Sequence, residues 1–236
     1  MSAPISQHPS PNFDERGDGV PIDMLVFHYT GMESGDAALA RLCDADAEVS
    51  AHYLIDEGGT ICQMVDEQNR AWHAGVAYWR GETKINARSI GIELVNPGHE
   101  FGYRAFADAQ MDAAITLAED ILSRHPIPAR NVVGHSDVAP TRKADPGELF
   151  DWQRLAGLGI GLWPDEADVL EMQRDIVDAH LTTIGYDTSD FVMAVKAFQR
   201  HYRGERVTGR IDAGTARRVS GLAALIGGKH DVVQHR

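Results

Sequence analysis

Cysteine is scarce: only Cys43 and Cys62 occur in 236 residues. Two thiols cannot build a disulfide framework, and neither has the CxxC spacing of a redox or metal site. One bridge between them is open, but two buried thiols are the expected state. Positive charge is also short, with 22 Lys and Arg against 35 Asp and Glu, a net charge of −13. That balance argues against nucleic acid or an anionic membrane surface as a partner. No stretch approaches the ~20 consecutive apolar residues that cross a bilayer. The N-terminus lacks a basic segment followed by an apolar one, so no secretion signal is visible. The expectation is a cytoplasmic monomer if the sequence is complete, or a periplasmic or envelope protein if a leader has been removed. Internal repeats and low-complexity tracts are absent too.

What is present alternates between strand and helix signals. Residues 1–20 are rich in Pro, Ser, Asp and Gly and read as a loosely held arm. Met24 to Phe27 is a short apolar run between Pro21 and Gly31, which fits a buried strand. Ala51–Ile55 and Thr60–Val65 flank Asp56-Glu57-Gly58-Gly59, a hairpin signal. Ser89–Val95 is a further strand, closed by Asn96-Pro97-Gly98. Met111, Ala114, Ile115, Ala118, Ile121 and Leu122 recur at helical spacing until Pro126 stops them. Asn131–Val133 reads as one more strand, ending at Gly134-His135. The fold class expected is α/β: a central mixed β-sheet flanked by helices.

Gly157 to Pro164 carries three glycines and a proline in eight residues and reads as a linker. The charge changes across it. Residues 1–164 hold 12 basic and 24 acidic side chains, and residues 165–236 hold 10 and 11. Helical patterns follow, one with Phe191, Val195, Phe198 and Tyr202 on a single face.

His28, His135 and Asp145 stand out as metal-ligand candidates. Both histidines close predicted strands, and Asp145 follows in a loop containing Pro and Gly. Side chains at the ends of neighbouring strands can converge at a sheet edge. Two imidazoles and a carboxylate give zinc three ligands and leave a fourth position for water. With 11 histidines in the chain, spacing alone is weak evidence.

The surrounding text is much stronger. Val26-Phe27-His28-Tyr29-Thr30-Gly31, Ser50-Ala51-His52-Tyr53-Leu54-Ile55 and Arg70-Ala71-Trp72-His73-Ala74-Gly75 occur in that order. Asn86, Ser89-Ile90-Gly91-Ile92-Glu93-Leu94-Val95-Asn96, Val133-Gly134-His135-Ser136-Asp137 and Arg142-Lys143-Ala144-Asp145-Pro146-Gly147 follow. Over roughly residues 21–155 this resembles the zinc-dependent N-acetylmuramoyl-L-alanine amidases, relatives of the muropeptide-recycling amidases and peptidoglycan recognition proteins.

The resemblance implies cleavage of the amide between N-acetylmuramic acid and L-alanine in peptidoglycan or muropeptides. It implies Zn2+ on His28, His135 and Asp145, with Glu93 as the proton-transferring carboxylate and Lys143 as the oxyanion donor. His52, Trp72, His73 and Asn86 are the expected substrate-lining residues. Phage and recognition-protein relatives often carry a tyrosine just before the position of His52. Here that position is Ala51, so proton transfer should fall on Glu93.

Gly185-Tyr186, Ala194 to Arg200 and Thr208 to Thr215 resemble, over about residues 166–222, the small three-helix peptidoglycan-binding domain. The expected order is an arm (1–20), the amidase domain (21–156), a linker (157–164), the helical domain (165–228) and a tail (229–236). The helical domain could bind wall polymer, brace the amidase, or do both. The rival readings of the whole are a non-catalytic peptidoglycan-binding protein and another zinc amidohydrolase or peptidase acting on wall peptides.

Overall fold

The computed structural model describes residues 5–167 and 172–228, so the expected tail 229–236 lies outside the described residues. The chain forms two compact units. One comprises Met1–Gly75 and Lys84–Ile127, the other Val76–Thr83 and Pro128–Arg236.

The first unit holds β1 (Ile5–Gln7), β2 (Phe13–Glu15), β3 (Met24–Tyr29), α1 (Gly35–Leu42), β4 (Tyr53–Ile55), β5 (Ile61–Gln63) and β6 (Asn69–Ala71). After these come α2 (Ile85–Arg88), β7 (Ser89–Leu94), α3 (Gly98–Phe101) and α4 (Asp108–Arg124). Five of its strands run in the order β1-β5-β4-β7-β3. β4 and β5 are antiparallel and the other three pairings are parallel, so the sheet is mixed. The apolar run expected at 24–27 is buried throughout, and Ile90, Ile92 and Leu94 of β7 are fully buried. Inner strands covered on both faces read as continuous hydrophobic text for this reason.

Alternation along β4 sends its side chains to opposite faces. Leu54 packs with Leu42 of α1, Ala51, Met64 and Val95. Tyr53 points the other way, and its hydroxyl donates to Glu67 at 2.7 Å. Arg124, on the last turn of α4, donates to the same carboxylate at 2.7 Å. Helix α4 forms where the periodicity placed it, with Met111, Ala114, Ile115, Ala118 and Ile121 buried. Asp108 in its first turn and Arg124 in its last complement the helix dipole.

The N-terminal stretch differs from expectation. Residues 5–16 are pinned: β1 lies parallel on β5, and β2 pairs antiparallel with β6. Ser10 Oγ donates to the Leu42 carbonyl at 2.5 Å, and Asn12 Nδ2 to those of Asp44 and Val49, each at 2.8 Å. The buried Arg16 guanidinium donates to the carbonyls of Glu67 and Ala87, each at 2.9 Å. The polar residues that suggested a solvated arm satisfy inward-facing loop carbonyls instead.

The second unit holds β8 (Val132–Gly134), α5 (His135–Val138), α6 (Trp152–Gly157), α7 (Arg174–Ile184), α8 (Phe191–Tyr202) and α9 (Ala213–Gly227). The last three are the expected C-terminal helices. Asp190 caps α8 by accepting from Met193 N, and Asp212 caps α9 by accepting from Thr215 N. Phe191, Val195, Phe198 and Tyr202 are all buried, and α7 packs on α9 and α8 on α5. Residues 157–164 lie inside this unit, where Ile160 is buried and its N–H returns to the Leu155 carbonyl.

Glu67 sets an acid limit on stability. Burial alone would raise its pKa, but hydrogen bonds from Arg124, His125 and Tyr53 outweigh burial and bring it to about 2. The folded state therefore holds the carboxylate charged more strongly than the unfolded chain, whose group titrates near 4.5. The stabilisation is present above that pH and is lost as pH falls toward 2. Glu67→Gln should cost about 2–3 kcal/mol at neutral pH by weakening hydrogen bonds to a charged group. It should also flatten the fall of melting temperature between pH 4.5 and 2. An unchanged acid slope in the variant would show that this carboxylate does not set the limit.

Candidate active site

The parallel register of β3 on β7 makes His28 and Glu93 partners on neighbouring strands. Leu54 of β4 partners Glu93 on its other side. Registered residues of paired strands share a face, so the His28 and Glu93 side chains leave the sheet side by side. His28 is 1% exposed and Glu93 is half-buried.

A chain of hydrogen bonds fixes the His28 ring. Ser89 Oγ donates its one proton to the Ile85 carbonyl at 2.7 Å. At His73 Nε2, 3.1 Å away, Ser89 Oγ must therefore accept. That assigns the His73 proton to Nε2 and leaves Nδ1 as an acceptor. His28 Nε2 lies 2.9 Å from this Nδ1 and donates to it. A neutral His28 so arranged offers a metal its Nδ1 lone pair, oriented by an occupied opposite nitrogen.

The arrangement needs a bare backbone beneath it. A Cβ on Gly91 would come within 2.6–2.7 Å of three atoms of the His73 ring. Glycine in the middle of a strand is costly, and close packing of this ring is the reason for it here.

His135 opens α5, directly after β8. Its Nδ1 is 3.0 Å from Asp145 Oδ2, and both residues are buried. The backbone also ties the two together, because Ser136 N–H donates to the Asp145 carbonyl at 2.8 Å. A Cβ at Gly134 would meet Pro146 Cδ at 2.7 Å, so glycine here lets the Asp145-Pro146 turn lie against the strand end. His28, His135 and Asp145 each offer one ligand atom, and these atoms lie within 4.8 Å of one another.

Lys143 is exposed, and its N–H donates to the Ala139 carbonyl at 3.0 Å. Asn86 Oδ1 accepts the N–H groups of His73 and Ala74 at 3.2 and 2.7 Å, so its amide fixes the backbone that carries His73. His52 is fully buried; its Nδ1 accepts from Gly91 N–H at 2.9 Å, and its Nε2 lies 2.9 Å from Arg16 Nη2. Burial first, and the Arg16 charge second, push the His52 pKa down to about 3, so the ring stays neutral. Trp72 is half-buried, and its backbone N–H donates to Ser50 Oγ at 2.8 Å. Sequence reasoning gave no role to Ser89, Gly91 or Arg16. The only signal was a serine and a glycine inside an otherwise apolar strand.

Residues 18–148 match the N-acetylmuramoyl-L-alanine amidase family. The chain is 39% identical to N-acetylmuramoyl-L-alanine amidase AmiD of Escherichia coli strain K12, over 82% of this chain and 79% of that protein. The solved complex of AmiD with anhydro-N-acetylmuramic acid-L-Ala-D-gamma-Glu-L-Lys superposes with a TM-score of 0.80 at 37% identity, covering 89% of this chain and 93% of that one. AmpDh3 of Pseudomonas aeruginosa, solved with an anhydromuramic pentapeptide, gives 0.78 at 32% identity, covering 92% and 94%. The 1,6-anhydro-N-acetylmuramyl-L-alanine amidase AmpD of Salmonella typhimurium strain SL1344 is 36% identical over 64% of this chain and 87% of its own.

The hydrogen-bond chain makes a prediction about Gly91. Gly91→Ala should displace the His73 ring, release His28, and lower the affinity for a metal held by His28 about 10–100-fold in chelator competition. Far-ultraviolet circular dichroism should remain that of the parent. Parental metal affinity in this variant would mean that His73 does not orient His28.

Proposed function

The chain belongs to the N-acetylmuramoyl-L-alanine amidase family and is an amidase of that kind; we propose that it works with zinc held by His28, His135 and Asp145. The donor set carries this reading: two imidazoles and one carboxylate, all buried, with ligand atoms within 4.8 Å of one another. Zinc accepts this mixture of nitrogen and oxygen, and three protein ligands leave the open position of a catalytic site. Magnesium or calcium would call for mostly oxygen donors.

When bound, zinc supplies a Lewis acid that polarises the scissile carbonyl and makes water more acidic. The chain's own residues supply the rest. Glu93, beside His28 in the strand register, takes the proton of the attacking water and delivers it to the departing alanine nitrogen. The Lys143 ammonium stabilises the charge that grows on the carbonyl oxygen. Ala51 offers no group for this chemistry, which leaves proton transfer to Glu93.

In this reading His73 and Asn86 act on the site by holding its ligand side. His52 and Arg16 support the same wall from within. Trp72, half-buried, keeps surface for a sugar or peptide face. The muropeptides bound in the AmiD and AmpDh3 structures support soluble anhydro-muropeptides or peptidoglycan stems as the substrate class.

The purified protein should hold one zinc per chain, and chelation should abolish turnover. His135→Ala should lose both metal and activity, since two remaining ligands bind zinc poorly. Glu93→Gln should keep the metal while turnover on an anhydro-muropeptide falls roughly 10²–10⁴-fold. Lys143→Met should also keep it, with a loss on the order of 10²–10³-fold. A metal-free, fully active His135→Ala protein would sink the zinc assignment, and near-parental turnover in Glu93→Gln would place the base elsewhere.

A further inference from the structure

The second unit contains a buried carboxylate that the chemistry above does not use. Asp137 lies two residues beyond His135 on α5 and is 1% exposed. Its Oδ2 accepts Gly134 N–H at 2.7 Å and His201 Nδ1 at 2.7 Å, and its Oδ1 accepts the Tyr186 hydroxyl at 2.6 Å. Two of these three donors belong to the C-terminal helical segment. Tyr186 follows α7 and His201 lies on the last turn of α8.

Both donors are themselves held. The His201 ring stacks on Trp152 at 3.8 Å and on Tyr202 at 3.9 Å between centroids. Tyr186 is buried edge-on against Trp79 at 5.1 Å. Trp79 sits in the strap 76–83, which spans the same two regions. Tyr78 N–H donates to the Val138 carbonyl at 2.8 Å, Arg80 N–H to that of Gly185 at 3.0 Å, and Arg142 Nε to that of Val76 at 3.1 Å.

We propose that Tyr186 and His201 are positioning residues for the metal centre, acting through Asp137 on the turn that presents His135. The proposal rests on the zinc reading given above. A carboxylate with three donors in fixed directions allows one placement of α5. Through Ser136 N–H, that placement also sets the Asp145 loop. Outer partners of this kind orient a ligand without touching the metal, and their loss weakens metal binding. The C-terminal helices are then part of the scaffold that builds the site, whatever affinity they have for wall polymer.

The test uses the full chain. Tyr186→Phe removes one hydroxyl, and His201→Leu removes the ring donor. His201→Asn keeps a donor where Nδ1 stood. Leu222→Ala, in the buried face of α9, serves as a control that loosens the same helices without touching Asp137. Each protein is measured for zinc affinity by chelator competition, for the visible spectrum of its cobalt-loaded form, and for its metal-free melting temperature.

Tyr186→Phe and His201→Leu should each lose about 10–100-fold in zinc affinity and alter the cobalt spectrum. The double variant should lose less than the product of the two, because both act through one carboxylate. His201→Asn should recover most of the loss. Leu222→Ala should lower the melting temperature and leave affinity and spectrum alone. Unchanged affinity and spectrum in Tyr186→Phe and His201→Leu would overturn the proposal, as would an equal affinity loss in Leu222→Ala. A parent protein that binds no zinc would instead overturn the zinc reading itself, which separates the two failures.

Discussion

The pairing of β3 with β7 is the constraint on which the site depends. Six residues run in parallel register, from Met24 with Ser89 to Tyr29 with Leu94. Because side chains alternate, a slip of one residue would turn His28 and Glu93 to opposite sides of the sheet. It would also move Gly91 away from the His73 ring. Five of the six residues in each strand are buried, so a slip would also break a packing made on both faces of the sheet. The hydrophobic core and the placing of His28 beside Glu93 are therefore two readings of one register.

Much of this was legible in the amino-acid text, and the reasons are local. The run around Met24 to Phe27, the Asp56 to Gly59 turn and the helical face from Met111 to Ile121 each carry their own periodicity or turn chemistry. The candidate metal donors stood out because His28 and His135 close predicted strands and Asp145 follows in a loop, all in ordered, recognisable surroundings. The partners behind them were not. Ser89 is a serine in a strand, and nothing in its spacing says that its proton goes to Ile85 and its lone pair to His73. Asp137 stands beside His135 in the text, while Tyr186 and His201 come 49 and 64 residues later. Only the folded chain brings them together.

The first residues show the converse limit. Composition cannot separate polar groups that face water from polar groups that satisfy buried carbonyls, because both call for Ser, Asn and Arg. Ser10, Asn12 and Arg16 are all buried, and each spends its donors on backbone oxygens of distant loops. The cost appears in Arg16, whose pKa burial draws down to about 10, still high enough to keep it charged at neutral pH. That lasting charge, close to His52, helps keep the imidazole neutral and buried.

The strap 76–83 carries a consequence for biosynthesis. It lies between the two stretches that make the first unit, yet its own partners belong to the second. Arg80 bonds the carbonyl of Ile184, 104 residues further along. At a synthesis rate of roughly 5–20 residues per second, the strap emerges on the order of 5–20 s before those partners exist. Vectorial folding from the N-terminus can assemble the first unit around a hanging loop, but the loop must wait with Trp79 exposed to whatever chaperones attend the ribosome. The His135 turn and the helices that hold it arrive last. On the positioning role proposed for Tyr186 and His201, the metal site reaches its full affinity only once nearly the whole chain has been made.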